Sequence, residues 1–171
     1  MNTSSFAAVE LAIVKLLRAG VPPGVQVTTL SPAQAGAWKV KPGQPGRVNV
    51  ALFRMEMNSS ARNVPRRSGS PTSSPPPAAF ELSYLVSASA GLDAIAEGGV
   101  PHLLECVVRA LLRQPVQMLA MADAAGVTTE TPITLVVQEL SLEQWTGLWT
   151  ALQTKLQPAV VCLARPVTLG F

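Results

Sequence analysis

One pair of residues in this sequence has the types and the spacing that nucleophilic catalysis uses. His102 and Cys106 lie four positions apart, so a helix would place an imidazole beside a thiol. The surrounding stretch, LLECVV, is apolar and favours a buried, reduced cysteine over an activated nucleophile. A Cys106-dependent enzyme therefore stays an alternative and is not the leading hypothesis.

The sequence contains no other pattern that is typical of a metal site, an acid–base pair or a nucleotide-binding loop. His102 is the only histidine, so one chain cannot supply the two or three imidazoles of a zinc site. The ten carboxylates include no pair in a motif that suggests acid and base roles. No glycine-rich phosphate-binding loop is present. The sequence predicts no catalytic residue, no metal site and no cofactor.

Size and composition indicate a single domain over residues 1–171, large enough to be stable without a disulfide or a metal. Apolar residues make up 48% and charged residues 13%, an apolar excess that we expect to lie partly in contacts between subunits. The net charge of +3 is modest, and the basic residues are not spread along the chain as in a nucleic-acid-binding protein. Cys106 and Cys162 are both predicted to be buried, reduced thiols.

No segment of the sequence has the properties of a membrane span or a signal peptide. The longest uncharged stretch, residues 19–38, is interrupted by prolines and glycines that a helix in a bilayer would not tolerate at that density. The first apolar run has no basic residue before it and contains charges. We expect a cytoplasmic protein.

Hydrophobic periodicity predicts three helices that pack on a mainly antiparallel sheet, an α+β fold. The predicted helices cover residues 4–19, a segment from Pro101 to Pro115, and a segment that begins at a capping box of Ser141 and Gln144. The predicted strands cover residues 26–31, 47–57, 80–88, 132–140 and 159–169. In the last strand, Pro166 marks an edge or a bulge.

Residues 58–79 differ in character from the rest of the chain. This segment is rich in proline and serine, carries three arginines and has almost no apolar bulk. It cannot bury enough surface to offset the entropy of ordering, so we predict a flexible loop within the domain. The strands on either side of the loop are expected to pair in one sheet.

Four segments together resemble the N-terminal domain of the cap, or tail-terminator, proteins of phage-tail-like contractile injection systems. They are VNVALFRMEMNSSARN (48–63), FELSYLVSA (80–88), LLECVVRALLRQPV (103–116) and SLEQWTGLWTALQTKLQPAVVCLARPV (141–167). Their order and spacing match over most of the chain. The sequence departs from the pattern at Ser83, where a histidine is common, and at Leu103-Leu104, where a Leu-Gly pair is common.

The resemblance implies a structural protein without enzymatic activity. Such a subunit would form a hexameric ring on the end of tube and sheath that is distal to the baseplate, and would stop their polymerisation. A ring follows when a head-to-tail interface closes by rotation. The implied partners are copies of the chain itself and the sheath and inner-tube proteins, with no nucleic acid and no membrane span. The particle would assemble in the cytoplasm.

The resemblance also suggests which residues form the assembly interface. We expect Arg54, Arg62, Arg66 and Arg67 to reach acidic groups on the sheath or tube, and Asn63 to fix the turn between them. The last strand, with Pro166, is expected to add to or terminate a neighbouring sheet through main-chain hydrogen bonds.

Two further functions remain open at the level of sequence, besides the Cys106-dependent enzyme. A neck or baseplate adaptor of a similar particle would bind a different end of the tube. A nucleic-acid-binding module would show an affinity that falls steeply with salt concentration.

Overall fold

In the part of the chain that the structure describes, six β-strands form one sheet in the order β1-β2-β3-β6-β5-β4, and four helices accompany it. The computed structural model describes residues 5–37, 39–40, 43–58, 78–91, 98–122 and 128–169. The helices are α1 Ser5–Gly20, α2 Pro32–Ala37, α3 Gly99–Arg113 and α4 Leu142–Ala151. The strands are β1 Gln26–Thr28, β2 Gly46–Met57, β3 Ala78–Ala90, β4 Val116–Ala122, β5 Thr128–Gln138 and β6 Ala159–Leu169.

The sheet is antiparallel except for the short β1, which runs parallel to β2. This confirms the predicted α+β class and the pairing of β2 with β3. The sequence did not predict two short elements, α2 and β4. The helix α2 buries only Ala35, and β4 consists largely of small or exposed residues, so neither carries a clear apolar stripe.

One face of the sheet, here called the helix face, is covered by α1 and α3 and holds the larger part of the core. The two helices approach closely at Gly20, where an added Cβ would lie 2.5 Å from the Cβ of Ala110. Fully buried side chains of this face come from both helices and from β2, β3, β5 and β6: Val9, Ile13, Leu17, Val107, Val48, Val50, Leu82, Tyr84, Val86, Ile133 and Cys162. The stripes predicted for α1 and β3 are therefore confirmed.

The other face of the sheet, here called the outer face, is covered in two places. The helix α4 packs Trp149 on Leu85 and Val161 in a small apolar cluster, and the Trp145 and Trp149 rings stack with centroids 6.5 Å apart. The predicted capping box of Ser141 and Gln144 begins this helix.

The region around α2 covers the outer face next to β1. Arg47 is buried there and donates from Nη2 to the carbonyl oxygen of Ala35 at 2.5 Å. Asn49 accepts from the N–H of Leu30 at 2.8 Å and donates to its carbonyl oxygen at 2.9 Å. Hydrogen bonds of this kind allow polar side chains to be buried at acceptable cost.

A β-bulge between Leu52 and Arg54 corrects the predicted faces of β2. Simple alternation would put Met55 and Met57 on the face opposite Val48 and Val50. The extra residue shifts the register, so Met55 pairs with Leu82 and Met57 with Phe80 on the helix face. A bulge adds one residue to one strand only, and periodicity in the sequence does not reveal it.

The remaining predictions about segments have mixed outcomes. Cys162 is buried as predicted, but Cys106 is only half-buried because it lies toward the surface of α3. Asn58, Ala78 and Ala79 extend the β2-β3 ladder, with the N–H of Asn58 donating to Ala79. The rest of the predicted loop, residues 59–77, lies outside the described residues. None of the helices described is both long and apolar enough to cross a membrane.

Candidate assembly surface

Four charged residues form a row across three strands on the outer face, here called the charged row: Arg54, Glu56, Glu81 and Arg165. Arg54 forms an ion pair with Glu56 on β2. Glu56 is the cross-strand partner of Glu81 on β3. Arg165 of β6 lies 3.9 Å from Glu81. The row therefore joins Arg54, a predicted interface residue, with Arg165, the chain neighbour of the predicted interface residue Pro166, although the two arginines are more than a hundred residues apart in sequence.

The arrangement of charges in this row explains its composition. Two glutamates opposite each other on neighbouring strands repel, and the two arginines offset that repulsion. Three of the four side chains are about half exposed, at 55%, 52% and 51% for Arg54, Glu56 and Arg165. Exposed ion pairs contribute at most about 1 kcal/mol, so these side chains can exchange partners at little cost. Such a surface suits recognition of a charged neighbour.

Pro166 lies where the sequence predicted a bulge. The pairing of β3 with β6 shifts register between Phe80 and Leu82, opposite Pro166, and Pro166 is exposed. The prediction that β6 offers a free edge to a neighbouring sheet is wrong for residues 161–165. From Val161 to Arg165, β6 pairs with β3 on one side and β5 on the other, so its main chain is already hydrogen-bonded.

A free edge exists on β2 instead. Among the described residues, β1 pairs only with Arg47–Asn49, and the rest of β2 pairs with β3 alone. Leu52, Met55 and Met57 are exposed along this edge. An unpaired edge with apolar side chains is a template for main-chain pairing with another chain. The edge adjoins the charged row, because Arg54 and Glu56 project from the same strand to the other face.

Four of the predicted interface residues lie outside the described residues: Arg62, Asn63, Arg66 and Arg67. Their placement stays a prediction. Asn58, the last described residue before them, donates from Nδ2 to Glu81 at 3.4 Å and so ends β2 beside the charged row. Glu56, Glu81 and Arg165 were missed by sequence reasoning, because cross-strand register brings them together and no local motif marks them.

The one catalytic arrangement that the sequence suggested is present only in part. Cys106 Sγ lies 3.8 Å from His102 Nε2 on the exposed side of α3. Within the described part of the chain, no third group forms a hydrogen bond to the imidazole to orient it. In the same residues, no three His, Cys, Asp or Glu side chains cluster as a metal site would require.

Two buried titratable groups, Tyr84 and Cys162, lie in the core of the helix face. Burial raises the pKa of the Cys162 thiol to about 12. Burial also raises the pKa of Tyr84, with smaller contributions from Glu10 and Cys162. Both groups are neutral over the physiological range, and the Tyr84 hydroxyl donates to the Phe6 carbonyl oxygen at 3.5 Å. Their role is packing.

The chain matches one known protein family over most of its length. The family model described as Pvc16 N-terminal domain matches residues 8–171. The chain belongs to the Pvc16 N-terminal domain family. A sequence search among curated proteins finds no match.

The solved structures that share this fold include a sheath/tube terminator and a tube-terminating cap. One is the PVC sheath/tube terminator of an extracellular contractile injection system in its extended state, with a TM-score of 0.64 and 16% identity. The other is the anti-feeding prophage cap, the AFP tube-terminating cap, with a TM-score of 0.59 and 17% identity. The matches cover 100% and 95% of this chain but only 59% and 55% of those chains. The predicted tail-terminator-like fold is confirmed.

Proposed function

We propose that this chain is a structural subunit that caps a contractile injection system. Copies of it form a hexameric ring on the end of tube and sheath distal to the baseplate, where the ring stops further polymerisation. The observation that carries the proposal is the shared fold: family membership extends over residues 8–171, and the sheath/tube terminator and the tube-terminating cap have the same architecture.

The surface of the sheet supports this role. The free edge of β2, with Leu52, Met55 and Met57 exposed, offers main-chain hydrogen-bonding groups and apolar side chains to a neighbour. The charged row lies on the other face of the same strands. We assign the edge to contacts between copies in the ring, since apolar contact surface is typical of permanent assemblies. We assign the charged row and the predicted arginines at positions 62, 66 and 67 to acidic groups of sheath and tube.

Charge reversal tests the assignment of the arginines. Particles would be assembled with the triple variant Arg62→Glu, Arg66→Glu, Arg67→Glu, and their lengths measured by electron microscopy. We expect overlong, non-uniform particles, because like charges would then face the acidic sheath or tube end. Thermal unfolding of the variant should match that of the unmodified chain.

Arg18→Glu is the matched control, because Arg18 is exposed on α1 and distant in the fold from the charged row. It should leave particle length uniform. Uniform particles of normal length with the triple variant would contradict the assignment. Gold labelling of the chain at the baseplate end would contradict the cap role itself and favour an adaptor.

A further inference from the structure

A groove lies at the β4 end of the sheet, opposite the end formed by β1 and β2. It lies between α1, α3 and β4 and has a volume of about 650 Å³. Its lining includes small and apolar side chains from all three elements, among them Ala12, Leu16, Ala110 and Leu119. Leu11 and Met118 line it as well and are 62% and 56% exposed. The groove does not adjoin the charged row, because α1 and α3 lie on the helix face whereas the row lies on the outer face, and β5 separates β4 from Arg165.

The main chain of β4 faces this groove with open hydrogen-bonding groups. The N–H of Leu135 donates to the Pro115 carbonyl oxygen at 2.6 Å. This bond determines which residue pairs of the β4-β5 ladder are hydrogen-bonded and which are not. In an antiparallel pair the hydrogen-bonded positions alternate, so Gln117 and Leu119 bond to β5. The N–H and C=O groups of Met118 and Ala120 therefore point away from β5, toward the outside of the sheet. Met118 faces Pro132, which has no N–H to offer, in agreement with this pattern.

The rim of the groove is positively charged. Among the described lining residues, Lys15, Arg109 and Arg113 are basic and none is acidic. Arg109 already pairs with Glu105, with Nη2 and Oε1 2.6 Å apart. Lys15 and Arg113 form no ion pair within the described part of the chain. Two cations beside an apolar floor and an open strand edge complement an extended chain that carries acidic and apolar side chains.

We propose that this groove binds an extended segment of another polypeptide, rich in apolar and acidic residues, as a further strand on β4. Main-chain hydrogen bonds to Met118 and Ala120 hold the segment, apolar side chains cover Leu16 and Leu119, and carboxylates reach Lys15 and Arg113. This inference does not rest on the capping role, since the groove lies beside β4, far from the free edge of β2, and the charged row lies on the outer face.

A random-peptide display library selected on the purified full chain tests the proposal. We expect the enriched peptides to combine Asp or Glu with apolar residues. One enriched peptide, synthesised with a fluorescent label, should bind the double variant Lys15→Glu, Arg113→Glu about tenfold more weakly, because two attractive charges become repulsive. Arg18→Glu, a reversal on α1 that does not line the groove, should leave the affinity unchanged.

Hydrogen exchange on the unmodified chain gives a second readout that needs no variant. The amides of Met118 and Ala120 should exchange rapidly in the free chain and become protected when the peptide binds. The amides of Gln117 and Leu119 should be protected in both states. Failure to enrich any peptide, enriched peptides without acidic residues, or protection confined to other elements would each overturn the proposal. Equal binding of DNA fragments or anionic vesicles to the groove would overturn it too.

Discussion

The two faces of the sheet are built differently. The helix face buries a continuous set of large apolar side chains from β2, β3, β5 and β6 under α1 and α3. The outer face buries a small cluster under α4 and four polar residues: Arg47, Asn49, Ser83 and Ser87. Since stability comes mainly from buried apolar area, the helix face carries most of it. The outer face and the strand edges contribute less buried apolar area, and we propose that they serve recognition.

The largest predicted effect concerns the helix face. Leu17→Ala should lower the free energy of unfolding by about 2–5 kcal/mol, because Leu17 is fully buried between α1 and the sheet. Leu11→Ala, on the same helix but exposed, should change it by less than about 0.5 kcal/mol. Urea unfolding followed by circular dichroism measures both. Equal effects would mean that α1 does not pack as described.

A smaller effect is expected under α4. Trp149→Ala should lower the free energy of unfolding by about 2–3 kcal/mol, at or below the lower end of the range of about 3–5 kcal/mol for Trp→Ala in a core, because we expect α4 to unfold locally while the sheet stays folded. Hydrogen exchange would show this as faster exchange in Leu142–Ala151 with α1 still protected. Uniformly faster exchange across both helices would contradict the independence of the two faces.

Alkaline pH should lower the free energy of unfolding through Cys162 in the core of the helix face. The Cys162 thiol ionises near pH 9 when unfolded but near 12 when folded, so the unfolded chain loses its proton first. The free energy of unfolding is therefore unaffected by this thiol well below pH 9. It decreases as pH rises from 9 toward 12, by about 1 kcal/mol at pH 10. Unfolding free energies at pH 8–11 should fall less steeply for Cys162→Ala than for Cys106→Ala. Identical slopes would contradict this account.

The smallest effect has the opposite sign and concerns α4. Gly147→Ala should raise the free energy of unfolding by about 0.5–1 kcal/mol, since an added Cβ at this helical position meets nothing within 4 Å. Gly20→Ala is the contrasting control, because its Cβ would collide with Ala110. Thermal denaturation of the two variants should shift in opposite directions. A fall with Gly147→Ala would show that α4 packs more tightly than its surroundings indicate.

Much of this fold is predictable because apolar periodicity and caps are local. The stripe of α1, the Ser141 capping box and the alternation of β3 each depend on residues close in sequence. The outlying elements α2 and β4 bury almost nothing of their own, so their local signal is weak. The bulge at Phe53 is invisible to periodicity because it depends on the partner strand.

For the candidate surface, the sequence by itself identified the family resemblance, the arginine-rich segment, Arg54 and the irregularity at Pro166. Only the tertiary structure decided that Glu81 and Arg165 complete a charged row, that β6 is an inner strand from Val161 to Arg165, and that, in the described part of the chain, β2 beyond Asn49 and β4 each have a free edge. The physical reason is that residue types and spacings are properties of one strand, whereas register and edge status arise only when strands pair.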